Sequence, residues 1–175
     1  PSPHRIAAPA CEKTACGGCA YQSISYAHEK DLKESYVRHA FLKAGLKDVT
    51  VTPVLSTDKT VGYRNKAQYP VSSHKGKAYA GFFKAGTHSV IENDRCLILP
   101  EEMDRVKETV IDHMNRFRIP AYDETAHTGL VRHIYVRRGA VSEQVLVCLA
   151  VNGRKLPHAP ELIENLKAIP GFTTL

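Results

Sequence analysis

The amino-acid sequence predicts an α+β fold: a largely antiparallel sheet with helices packed on it, preceded by a cysteine-rich amino-terminal cluster loop. Three observations carry the prediction. Apolar residues recur at helical spacing over 26–44 and 101–118, and the β-like runs come in hairpin-like pairs. The first 25 residues hold three prolines, the Gly17-Gly18 pair and three cysteines with neither period. Parallel βαβ units would instead alternate strand and helix throughout.

The elements follow in chain order. Residues 1–25 read as a loop that needs something to order it. In the helix 26–44, Leu32, Tyr36 and Ala40 share a stripe beside Val37, Phe41 and Ala44, and Gly45 closes it. A short extended piece covers Val49 to Leu55. Tyr63 to Val71 alternates, and a Ser-Ser-His-Lys-Gly turn leads to a partner strand from Lys77 to Lys84. Pro70 lacks an amide donor, so the first strand is expected to end there or to lie at an edge or bulge. Ser89 to Glu92 is extended. The helix from about Glu101 to Arg118 has Pro100 at its start, Met103, Val106, Val110, Met114 and Phe117 inward, and Pro120 as its stop. Strands Leu130 to Arg138 and Gln144 to Val151 follow, then a short helix from Pro160 to Ile169 that stops before Pro170-Gly171.

A chain of 175 residues, 43% hydrophobic and 24% charged, has the composition of a globular domain. At that size it buries roughly 70% of its unfolded surface and needs no disulfide framework. The longest apolar run, Val145 to Val151, is far short of the roughly 20 residues that span a bilayer, so no membrane partner is expected. The amino end has no signal-like apolar stretch and the five cysteines are unevenly spaced, which reads as cytoplasmic. The excess of 24 Lys and Arg over 18 Asp and Glu favours an anionic partner such as nucleic acid, against the plainer alternative of a solvated basic surface.

The strongest chemical signal is Cys11-Glu-Lys-Thr-Ala-Cys16-Gly-Gly-Cys19, three thiols within nine residues, with Cys96 the natural fourth. A cubane iron-sulfur cluster takes one thiolate per iron, and a Gly-Gly pair lets backbone wrap closely around it. Zinc commonly takes two Cys-x-x-Cys pairs, and only one is present. The [4Fe-4S] reading is therefore preferred, with zinc and unliganded thiols left open. Cys148, inside the apolar run Val145 to Val151, reads as a small buried hydrophobe.

The run Cys16-Gly-Gly-Cys19 with Tyr21-Gln22 and Ser25-Tyr26, then Gly62-Tyr63-Arg64-Asn65-Lys66-Ala67, then Gly81-Phe82-Phe83-Lys84-Ala85-Gly86-Thr87-His88 and Cys96, resembles the bacterial RNA uracil-C5 methyltransferases, in their iron-sulfur branch. The resemblance covers nearly the whole chain. It implies the central part of an S-adenosylmethionine-dependent 23S rRNA (uracil-C5) methyltransferase that makes 5-methyluridine, with ribosomal favoured over transfer RNA as partner. It also implies an OB-like domain before this part and, after it, a Rossmann-like domain carrying S-adenosylmethionine, the nucleophile and the base. This fragment alone is expected to be inactive. Family members usually place five residues between the first two cluster cysteines, whereas Cys11 and Cys16 enclose four. The implied organisation is a cluster loop over 1–25, a helix and extended segment over 26–58 that packs with the catalytic domain, and a central α+β RNA-recognition domain over 59–175.

Alternation puts Arg64, Lys66 and Gln68 on one side of the strand and Tyr63, Asn65, Ala67 and Tyr69 on the other. By the resemblance Arg64 lies near the target uridine, where a guanidinium makes directed hydrogen bonds to phosphate or a base edge. By the same resemblance Phe82, Lys84 and His88 fall in the segment that helps to shape the RNA-facing cleft, with Phe82 either stacking on a base or packing in the core. Arg132 and Arg137, on a second basic strand, complete the expected RNA contacts. The competing readings are a stand-alone iron-sulfur electron-transfer module and a zinc-stabilised binding domain.

Overall fold

The computed structural model describes residues 2–57 and 59–175, the side chain of Thr14 apart. Pro1 and Asp58, the expected limits of the first two segments, lie outside the described residues. The chain divides into two compact units, Pro1–Asp58 and Lys59–Leu175.

In the first unit the cysteine loop closes on itself. Arg5 bridges Ile24, and the Ile6 amide donates to the Ser23 carbonyl at 2.9 Å. Between these ends lies a single 3-10 turn, Thr14–Cys16, after which Gly17 takes φ 66°. Helix α1, Tyr26–Lys43, starts at Ser25, whose side chain accepts from the His28 amide. Ion pairs Glu29–Lys33 and Glu34–Arg38 span one turn each, at 2.5 and 2.7 Å. The apolar stripe of α1 is left uncovered: no residue of the helix is buried, and Tyr36 and Val37 are 60% and 46% exposed. The extended piece at 49–55 forms no strand; Val51 instead accepts from Arg38 Nη2 at 3.0 Å.

The second unit is a six-stranded sheet with two helices on one face. Strands β1, Lys66–His74, and β2, Lys77–Phe83, form a hairpin, followed by β3, Val90–Glu92. Helix α2, Glu101–Phe117, comes next, then β4, Val131–Arg138, β5, Val145–Val151, helix α3, Ala159–Lys167, and β6, Phe172–Thr174. The order across the sheet is β3-β2-β1-β4-β5-β6, antiparallel except for β5 with β6. The final strand was not expected from the sequence; three residues after Pro170-Gly171 are too few to show a period.

Two hairpin expectations need correction. The turn is only Lys75-Gly76, both at positive φ (49° and 78°), so β1 runs on to His74. Pro70 neither ends β1 nor sits at an edge. Residues Lys66–Pro70 pair with β4 and Val71–His74 with β2, so the missing N–H falls where the strand changes neighbour. Gly81 is required by close backbone approach, since a Cβ there would lie 1.8 Å from the Ile91 carbonyl oxygen on β3.

Strand alternation decides the two faces. Ala67, Tyr69, Ile134, Val136, Val145 and Val147 are buried with Met103, Val106, Val110 and Met114 of α2 and Leu162 and Leu166 of α3. The Asn115 side chain clamps α2 to β2, accepting from the Ala78 amide at 2.7 Å and donating to its carbonyl at 3.0 Å. The opposite face carries no helix of this unit. Cys148 lies on that open face and is exposed, which corrects the buried reading: the apolar run is covered on one side only.

Candidate functional site

Arg64 precedes β1, and its backbone is fixed by the loop around Cys96. The Gly62 amide donates to the Leu97 carbonyl at 2.8 Å and the Arg64 amide to the Ile98 carbonyl at 2.9 Å. Arg64 itself is exposed. The Cys96 loop is anchored in turn by a buried polar group beneath it. Asp104 of α2 accepts from the Cys96 amide at 2.9 Å and from the Tyr69 hydroxyl at 3.0 Å. Lys107 Nζ lies 3.8 Å from the same carboxylate and donates to the carbonyls of Asn93 and, at 2.8 Å, Asp94.

Burial raises the Asp104 pKa, opposed by the Cys96 amide and Lys107, while burial and then the Asp104 charge push the Tyr69 phenol far above its ordinary range. Every buried partner here is needed by another, so the group acts as a unit. It connects the Cys96 loop, the Arg64 segment and the core strand β1.

Along β1, Lys66 and Gln68 are exposed and alternate with buried Ala67 and Tyr69, as the sequence expects. Register then brings in residues that alternation within one strand does not identify. Lys66 stands opposite Arg137, and Gln68 opposite Tyr135. Arg137 makes no ion pair among the described residues, and it borders a polar recess of about 360 Å³ with Asn65, Arg138 and Gln144. Arg132 is engaged otherwise: its guanidinium donates to both carboxylate oxygens of Glu124, at 2.6 and 2.8 Å, which holds the Glu124 pKa down.

Lys84 and His88 are exposed at the turn after β2. Phe82 is not at the surface with them. Its ring packs on the core, 5.3 Å from that of Tyr69, because β2 alternation turns it toward the helices. Phe83 is the ring left on the open face, 5.5 Å from His88 and 6.4 Å from His133, whose own ring is 6.0 Å from Tyr135. Burial, then the Arg132 charge, lowers the His133 pKa.

Cys11, Cys16, Cys19 and Cys96 are all half-buried. The first three belong to one unit and Cys96 to the other. Their chemistry suits a thiolate-ligated group. Within the first unit, however, the described residues bring no three Cys, His, Asp or Glu side chains together as metal ligands. No helix of the described residues is long and apolar enough to cross a membrane.

No family model matches the chain. Proteins named as uncharacterized RNA methyltransferases do: one from Clostridium tetani is 36% identical over 95% of this chain, and one from Halalkalibacterium halodurans 37% over 97%. The chain spans only 36% and 37% of their lengths. Among solved structures, the tRNA (uracil-54, C5)-methyltransferase of Pyrococcus abyssi in complex with S-adenosyl-L-homocysteine matches 92% of this chain and 35% of that one. Its TM-score is 0.70 and its identity 19%, a likeness of fold.

Proposed function

The chain is homologous to RNA methyltransferases over nearly its whole length, and from that premise we propose that it is the central RNA-recognition part of an S-adenosylmethionine-dependent RNA (uracil-C5) methyltransferase. S-adenosylmethionine, the nucleophile and the base belong to parts outside this chain, so the chain alone transfers no methyl group. In this reading the substrate is 23S rRNA, by the resemblance of the cysteine and Gly-Tyr-Arg-Asn-Lys motifs to the iron-sulfur branch, and the compartment is the cytoplasm, by the uneven cysteine spacing. Target uridines must leave their stack before attack, at a cost of about a few kcal/mol, and a cationic surface beside the target helps to hold the strand in that state.

The observation that carries this reading is the exposed set Arg64, Lys66 and Gln68 on the segment leading into a central strand, with the Arg64 backbone bonded to the loop just past Cys96. In the same reading Cys11, Cys16, Cys19 and Cys96 hold a [4Fe-4S] cluster that serves to fix the loop and not to pass electrons. Its support is the donor set and the anchoring of the Cys96 amide by Asp104. Iron with acid-labile sulfide in anaerobically purified protein is expected; zinc without sulfide replaces the cofactor.

Binding of this chain to an RNA hairpin, titrated over salt concentration, tests the RNA reading. The association constant is expected to fall steeply with salt, and Arg64→Ala to weaken it about tenfold by removing charge-assisted hydrogen bonds. Binding that ignores both salt and Arg64→Ala overturns it.

A further inference from the structure

We propose that the helix-free face of the sheet in the second unit is a platform for single-stranded RNA, with Tyr135 as its stacking ring and Lys66 and Arg137 as its phosphate contacts. The proposal rests on the RNA reading above, keeps its Lys66 and Arg137, and adds Tyr135 and a row of rings that the sequence motifs do not mark. Its first support is register. Lys66 and Arg137 are directly opposite one another on adjacent strands, both exposed, and neither has a carboxylate partner among the described residues. Like charges in that position repel, so the sheet carries a local cost that a bound phosphate would relieve.

Its second support is the row of rings beside them. Two residues along, on the same face, Gln68, Tyr135 and Cys148 stand abreast on β1, β4 and β5. From Tyr135 the row continues through His133 at 6.0 Å and Phe83 at 6.4 Å to His88 at 5.5 Å. A soluble domain gains nothing from leaving half-exposed rings on an open face, unless they meet another flat surface. Unpaired bases offer such surfaces on every nucleotide, whereas the bases of a duplex are stacked on each other. Among the described residues two carboxylates bear on this face: Glu92 is on β3 at the far edge of the sheet from β4 and β5, and Glu124, which acts electrostatically on His133 and His88, is paired with the Arg132 guanidinium. Cations at Lys66 and Arg137 beside a row of rings, with the nearby Glu124 already neutralised by Arg132, match an unpaired polynucleotide better than a protein or a duplex.

The test uses fluorescein-labelled oligouridylate of about ten nucleotides, within the usual site size, with a duplex of equal length and the RNA hairpin as parallel probes. The oligouridylate is expected to bind more tightly than the duplex, and Tyr135→Ala to weaken it about tenfold while Tyr135→Phe binds like the parent. Lys66→Gln and Arg137→Gln are each expected to flatten the salt slope by about 0.7. The chain has no tryptophan, so the indole of Tyr135→Trp reports stacking directly as quenched emission on binding. Parent-like binding by Tyr135→Ala, or an unquenched indole, overturns the platform. If the hairpin still binds and still depends on Arg64, the platform alone has failed; if neither RNA binds, the RNA reading fails with it.

Discussion

Helices α1 and α2 are nearly equal in length, 18 and 17 residues, yet they are stabilised by different means. In α1 the visible devices are local: the Ser25 cap and two ion pairs one turn apart, with no buried residue. In α2 they are tertiary. Met103, Val106, Val110 and Met114 are at most 1% exposed, and Asp104 and Lys107 are buried beside them in the group that holds the Cys96 loop. Helical periodicity therefore reports that a segment coils; whether its apolar stripe is covered is a separate, tertiary fact. The units differ in the same sense. Residues 59–175 have their own core, while the first unit is held by a clipped loop and a self-capped helix.

The largest expected effect that sharpens this contrast comes from the polar group under α2. Asp104→Ala leaves the Tyr69 hydroxyl and Lys107 ammonium buried without their carboxylate and the Cys96 amide without its acceptor, a loss of about 3–5 kcal/mol. Urea unfolding followed by circular dichroism measures it, and a loss below about 1 kcal/mol would show that the group does not act as a unit. Next is the pair Met114→Ala and Tyr36→Ala. The first opens a cavity in the core and is expected to cost about 2–4 kcal/mol; the second removes a 60% exposed ring from α1 and is expected to stay within about 0.5 kcal/mol. Equal costs would break the comparison.

Much of the fold was legible in the sequence. Both long helices, the first hairpin and the inward face of α2 follow from period and from Pro and Gly punctuation. What was not legible depends on neighbours. The apolar run around Cys148 reads as covered on both sides because local hydrophobicity carries no information on how many layers a sheet has. Pro70 reads as a strand end because the rule for proline concerns one ladder, and β1 uses two in succession.

The candidate site divides likewise. Lys66 and Gln68 were visible from alternation, whereas Tyr135 and the opposition of Lys66 to Arg137 arise only from cross-strand register. Phe82 and Phe83 are adjacent, and which of them faces the core is set by β2 pairing with β3, invisible in a Phe-Phe pair. Asp104 gave no signal either: an acidic residue in the first turn of a helix reads as a dipole partner, not as the anchor of a loop eight residues before it.

Ultraviolet cross-linking of the chain to a uridine-containing RNA hairpin, followed by peptide mapping, tests the central claim most directly. Cross-links are expected on peptides of residues 59–175, carrying Arg64, Lys66 or Tyr135. Cross-links confined to the first unit, or spread evenly over the chain, would contradict it.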